Sequence, residues 1–121
     1  MPHRILIVDD NDLNLDLVRT ILQLEGYETD TADCGEAAVR KTQVFKPNVI
    51  LLDVMMPDVN GFELCHHLRQ LPDAANIPIL MLTGASSEED RLTAIEVGAN
   101  GLLGKPFNID TLNGRIKSLL K

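Results

Sequence analysis

Two rhythms of apolar positions alternate along the chain. Ile5-Leu6-Ile7-Val8, Val49-Ile50-Leu51-Leu52 and Ile79-Leu80-Met81-Leu82 are unbroken apolar runs of strand length. Runs of this kind belong to strands covered on both faces, so they predict three central parallel strands. Tyr27 to Ala32, where Thr, Glu and Asp interrupt the pattern, and the Gly-flanked pair Leu102-Leu103 carry less apolar surface and predict edge strands.

Between these runs the apolar spacing becomes helical. Leu17, Val18, Ile21 and Leu24 recur at i, i+1, i+4 and i+7, and Gly26 follows where a left-handed stop is needed. Glu36 to Phe45, ending before Pro47, predicts a second helix, and Phe62, Cys65 and Leu68 before Pro72 a third. Ser86 with Glu89 has the spacing of a capping box opening a fourth helix. Ile109, Leu112, Ile116 and Leu119 form the stripe of a fifth. Five strand–helix units in this order require right-handed crossovers and helices on both faces of a parallel sheet. With the second and fifth strands at the edges, the α/β fold expected is a flavodoxin-like, doubly wound (βα)5 sandwich of strand order 2-1-3-4-5.

Length and charge narrow the functional classes. The 121 residues suit one domain over 1–121, without repeats, linker or an effector domain. Eleven Lys and Arg against 18 Asp and Glu give a net charge of −7, which opposes direct nucleic-acid binding by counterion release. One Tyr, three Phe and no Trp are too few rings for a single-strand stacking platform. The run Ile5–Val8 stops at Asp9-Asp10, far short of the roughly 7–15 residues of a signal-peptide core or the roughly 20 of a spanning helix, so a cytoplasmic protein without membrane contact is expected. Cys34 and Cys65 lack CxxC spacing and read as small core hydrophobes, and Met55-Met56 as gap fillers. His66 and His67 are adjacent, not i, i+4, and read as surface residues.

The chemistry lies where the strands end. Ligands of a doubly wound sheet bind outside the carboxyl ends of its strands. There the first strand delivers Asp9-Asp10, the third Asp53, the fourth Thr83, and the fifth leads to Lys105-Pro106. Taken singly, each has a structural explanation as a turn former, helix cap or solvated lysine. Together they place three acids, a hydroxyl and an ammonium on one rim. Three adjacent carboxylates repel unless a cation neutralises them, and an all-oxygen set suits Mg²⁺ better than zinc. Lys105 and Thr83 add donors for phosphoryl oxygens. Asp53, ending a central strand, is placed to attack phosphorus and become an aspartyl phosphate.

The residues that carry this rim also resemble a family. ILIVDDN (5–11), VILLDVMMPDVNGFEL (49–64), PILMLTG (78–84) and GANGLLGKPF (98–107) are similar, in order and spacing, to the response-regulator receiver domain (CheY-like) of two-component and phosphorelay signalling. The resemblance implies that Asp53 is the phosphoacceptor, served by a histidine kinase or histidine phosphotransfer protein. It implies that Asp10, Asp53 and the Met55 backbone carbonyl ligate Mg²⁺ (or Mn²⁺), with Asp9 acting through a water. Thr83 and Lys105 would contact phosphoryl oxygens and bias the surface of the fourth helix, fifth strand and fifth helix toward a downstream protein or fused effector. The chain would then be a signalling phosphoacceptor and no conventional enzyme, monomeric or dimerising on phosphorylation. A cis Lys105–Pro106 bond is also implied. Leu102 departs from the pattern, standing where many receivers carry a switching Tyr or Phe, so a subtler repacking around Leu102 is expected. Met55 and Ala85 hold positions that resemble those tuning water access, and neither can activate water.

Rival readings fare worse. A haloacid-dehalogenase-like phosphatase would need an acid where Met55 stands. A flavin binder would need a phosphate-cradling loop where Asp9-Asp10 would repel the ligand. A receiver acting as a constitutive interaction module without phosphorylation is the remaining alternative.

Overall fold

The computed structural model describes residues 2–84 and 87–120. Its order is β1 (Arg4–Val8), α1 (Asp12–Leu24), β2 (Glu28–Ala32), α2 (Gly35–Phe45), β3 (Val49–Asp53), α3 (Gly61–Arg69), β4 (Ile79–Thr83), α4 (Glu88–Glu96), β5 (Gly101–Gly104) and α5 (Ile109–Leu119). The sheet is parallel throughout, in the order β2-β1-β3-β4-β5. This is the expected flavodoxin-like arrangement, with both weakly apolar strands at the edges.

Alternation along each strand divides the core in two. Ile5, Ile7, Val49, Leu51, Leu80 and Leu82 pack against Leu15, Val18 and Leu22 of α1 and Leu112 and Ile116 of α5. Leu6, Val8, Ile50, Leu52, Ile79 and Met81 face Ala37 and Ala38 of α2, Leu64, Cys65 and Leu68 of α3, and Ala94 of α4. Both faces are therefore dry, which is why the runs Ile5–Val8, Val49–Leu52 and Ile79–Leu82 contain no polar residue.

Several local expectations are corrected. The buried stripe of α1 is Leu15, Val18 and Leu22, whereas Leu17 and Leu24 are exposed. Leu17 lies two residues, about 200° of helix, from Leu15, and Leu24 stands in the same relation to Leu22, so these two point away from the sheet. Ile109 is likewise exposed at the first turn of α5, while Leu112 and Ile116 form its buried face. Met55 is 72% exposed and fills no gap, although the half-buried Met56 does pack on the core. Cys65 is fully buried, Cys34 half-buried at the start of α2. Tyr27 precedes β2 instead of opening it. At α4 the cap is Ser87, whose hydroxyl accepts from the Asp90 N–H at 3.1 Å; Ser86 and Ala85 lie outside the described residues. Gly26 has φ 91°, the left-handed stop expected after α1.

Candidate functional site

Strand register builds the site. Val8 is level with Leu52, so Asp9 and Asp53 end neighbouring strands side by side; Asp53 is level with Leu82, and Thr83 with Gly104. Asp9, Asp53 and Thr83 are all buried, while Asp10 is exposed. One carboxylate oxygen from each of Asp9, Asp10 and Asp53 lies within 4.8 Å of the others. The Lys105 Nζ reaches this group from the β5–α5 loop, 3.1 Å from Asp53 Oδ1 and 3.6 Å from Asp9 Oδ2. Its backbone N–H donates to the Thr83 carbonyl at 2.6 Å, locking that loop to the end of β4. The Lys105–Pro106 peptide is cis.

The electrostatics are those of a carboxylate held short of full compensation. Burial raises the Asp53 pKa, the Lys105 hydrogen bond lowers it, and the charge of Asp9 raises it again, leaving it above the usual carboxyl value. The Met55 N–H, 3.4 Å from Asp53 Oδ1, adds only a long hydrogen bond. A hard divalent cation fits this donor set: three carboxylates, one of them open to solvent, with no nitrogen or sulfur ligand among them.

Other expected residues fall around this centre. Met55 directs its side chain into solvent beside it. Leu102 is half-buried on β5, packed on the face that carries α4, and its carbonyl accepts from Arg115 Nη2 at 3.3 Å. Pro106 lines a groove of about 370 Å³ with Asp9, Leu17, Val18, Lys105 and Phe107. His66 and His67 are surface residues on α3. The turn-forming alternative for Asp9 also holds in part, because its Oδ1 accepts from the Asn11 N–H at 3.0 Å, but the cap of α1 is Asn11.

Two further residues, Gly61 and Asp58, shape the site from the β3–α3 loop. Gly61, at the start of α3, is buried against the carboxyl end of β3: a Cβ there would stand 2.2 Å from the Asp53 carbonyl oxygen. Asp58 accepts from the Gly35 N–H at 2.8 Å, tying the β3–α3 loop to α2. Glycine and aspartate before a helix are common turn signals, so nothing in their spacing marks these contacts.

A family model described as "Response regulator receiver domain" matches residues 5–117. The chain belongs to the response regulator receiver domain family. It is 40% identical over its whole length to the alkaline phosphatase synthesis transcriptional regulatory protein PhoP of Bacillus subtilis, of which it covers 50%. It is 38% identical to the response regulator PleD of Caulobacter vibrioides, covering 27% of that protein. The chain thus spans about half the length, or less, of these curated relatives. Among solved structures, chemotaxis protein CheY4 of Vibrio cholerae superposes with a TM-score of 0.95 at 38% identity, covering 99% of this chain and 100% of that one. The BeF3-activated receiver domain of Klebsiella pneumoniae RstA gives 0.90 at 27% identity, covering 98% and 99%. Receiver domains are signalling phosphoacceptors of two-component systems and not conventional enzymes. No helix among the described residues is long and apolar enough to cross a membrane.

Proposed function

We propose that this receiver domain accepts a phosphoryl group on Asp53 from the phosphohistidine of a histidine kinase or histidine phosphotransfer protein. The observation that carries the reading is the convergence of the Asp9, Asp10 and Asp53 carboxylates within 4.8 Å, with the Lys105 ammonium 3.1 Å from Asp53. A carboxylate oxygen of Asp53 forms the new P–O bond as the P–N bond breaks; the electron pair stays on the ring nitrogen, which is protonated from solvent. Asp10, Asp53 and the Met55 carbonyl would hold Mg²⁺ (or Mn²⁺), with Asp9 reaching it through a water. When bound, the cation supplies neutralisation of charge on the carboxylates and the transferring group. Lys105 exchanges its ion pair with Asp53 for a phosphoryl oxygen, and the Thr83 hydroxyl donates to another. Because Lys105 and Thr83 are joined by a backbone hydrogen bond, their rearrangement passes to β5, where Leu102 repacks and alters the α4–β5–α5 surface. A separate target or a fused effector domain reads that surface.

Intact mass after incubation with Mg²⁺ and acetyl phosphate tests the reading. A single phosphoryl adduct, labile to hydroxylamine and absent from Asp53→Ala and from metal-free protein, is expected. A folded, Mg²⁺-binding chain that forms no adduct would refute phosphoacceptance and favour the constitutive interaction module.

A further inference from the structure

The β3–α3 loop is a closed strap whose two ends meet at Asp53. Val54 follows the phosphoacceptor directly, and its carbonyl accepts from the Gly61 N–H at 2.8 Å. Gly61 comes so close that a Cβ would lie 2.2 Å from the Asp53 carbonyl oxygen and 2.7 Å from the Val54 Cα. These neighbours are backbone atoms at and just past the end of a central strand and cannot swing aside. The middle of the strap is tied elsewhere. Cys34, in the cap position of α2, makes no side-chain capping hydrogen bond. Asp58, 23 residues away in sequence, supplies one instead: its Oδ2 accepts from the Gly35 N–H at 2.8 Å. A carboxylate there is also favoured by the helix dipole. Val59 rests against Gly35 at the same point, where a Cβ would meet its Cγ1 at 2.9 Å.

From the Val54 tie to the Asp58 tie run only Met55 to Pro57, and the Met55 backbone N–H faces Asp53 Oδ1. We infer that Asp58 is a positioning residue for the cation site, holding the Met55 backbone and the Asp53 carboxylate in mutual register by capping α2 from the β3–α3 strap. This rests on the receiver reading above. Asp58 itself is exposed and touches none of the three clustered carboxylates at hydrogen-bond distance among the described contacts. Its effect therefore travels through backbone, and any acceptor of the same shape in its place should serve.

The test compares Asp58→Ala with Asp58→Asn in the full chain, measuring Mg²⁺ affinity by calorimetry without any phosphodonor and phosphorylation by acetyl phosphate separately. Asp58 is exposed, so truncation leaves the core intact; far-ultraviolet circular dichroism checks this. The expected result is a Mg²⁺ Kd raised about five- to tenfold in Asp58→Ala, with phosphorylation at saturating Mg²⁺ recovering most of its rate. Asp58→Asn keeps an acceptor oxygen and should stay within about twofold of the parent. Unchanged affinity in Asp58→Ala would overturn the inference. Equal losses in the two variants would overturn it as well, since they would trace the effect to charge and not to the strap. Gly61→Ala supplies a second arm, in which affinity should fall further; a folded Gly61→Ala chain with parental affinity would also overturn it. A parent chain that binds Mg²⁺ with Asp58-dependent affinity yet takes no phosphoryl group would leave this inference standing while removing the phosphoacceptor reading. A parent chain that binds no Mg²⁺ would remove both.

Discussion

Arg69 offers the sharpest test of what holds the scaffold beneath the site. At the C-terminal end of α3 its guanidinium donates four hydrogen bonds: Nε to the Gly98 carbonyl at 2.9 Å, Nη1 to the carbonyls of Ala74 at 2.8 Å and Ile77 at 2.6 Å, and Nη2 to Asn100 Oδ1 at 2.8 Å. Asn100 Oδ1 also accepts from the Ile79 N–H at 2.9 Å. One side chain thus ties α3 to the segments entering β4 and β5, at the pole opposite the acidic cluster. Gly98 has φ 91°, and a Cβ there would sit 3.1 Å from the Arg69 Cγ. Burial draws the Arg69 pKa below its usual value, a sign that solvent gives the cation little help.

Replacement by Met keeps the apolar stem and removes all four donors. Bonds from a charged donor contribute about 1.5–3 kcal/mol each when buried, but here part of the arrangement is exposed, water can replace some of it, and the four act as one unit. A total loss of about 3 kcal/mol is the working figure, or a fall in Tm of about 10 °C for a domain of this size. Urea unfolding at pH 7 reads it as a drop in midpoint at unchanged m. Because the contacts lie at the far end of the sheet, the phosphorylation rate of folded Arg69→Met should match the parent. A loss below about 1 kcal/mol would refute the clamp. Parental stability with impaired phosphorylation would relocate Arg69 from scaffold to function.

Other outcomes follow from the site. Asp53 has its folded pKa raised above the unfolded value, so its ionisation opposes folding: the penalty is absent below the unfolded pKa, grows as pH rises through the folded pKa, and is full above it. Metal-free Asp53→Asn should therefore be more stable than the parent at pH 7, with the gap closing toward pH 4; a gap that is absent or widens on acidification contradicts this. Saturating Mg²⁺ should raise the parent's Tm by several degrees, about 2.7 kcal/mol at 100 times Kd, and leave Asp10→Ala nearly unmoved in a thermal-shift titration. Met55→Asn, which sets an amide beside Asp53, should shorten the phosphoryl half-life several-fold when adduct decay is followed by mass; an unchanged rate removes the argument that Met55 fails to orient water.

The central strands announce themselves because both of their faces are dry. Ile5–Val8, Val49–Leu52 and Ile79–Leu82 have no solvent side on which a polar residue would be neutral. The same condition makes the first polar residue after each run conspicuous, and so Asp9, Asp53 and Thr83 could be assigned to one rim before their distances were known. Helix α1 offers no comparable contrast. Leucines at 13, 15, 17, 22 and 24 surround it, and only packing on the sheet separates the buried Leu15 and Leu22 from the exposed Leu13, Leu17 and Leu24. Periodicity alone cannot choose between faces that are both apolar. The β3–α3 strap is hidden for another reason. Gly61 matters through a Cβ it does not have, against backbone that the topology brings near, and Asp58 matters through a helix that begins 23 residues earlier. Residues that bear the chemistry are exposed by the pattern they interrupt, whereas residues that hold them in place act through backbone and through contacts distant in sequence, so the geometry of the site is carried by positions whose residue types look like ordinary turn.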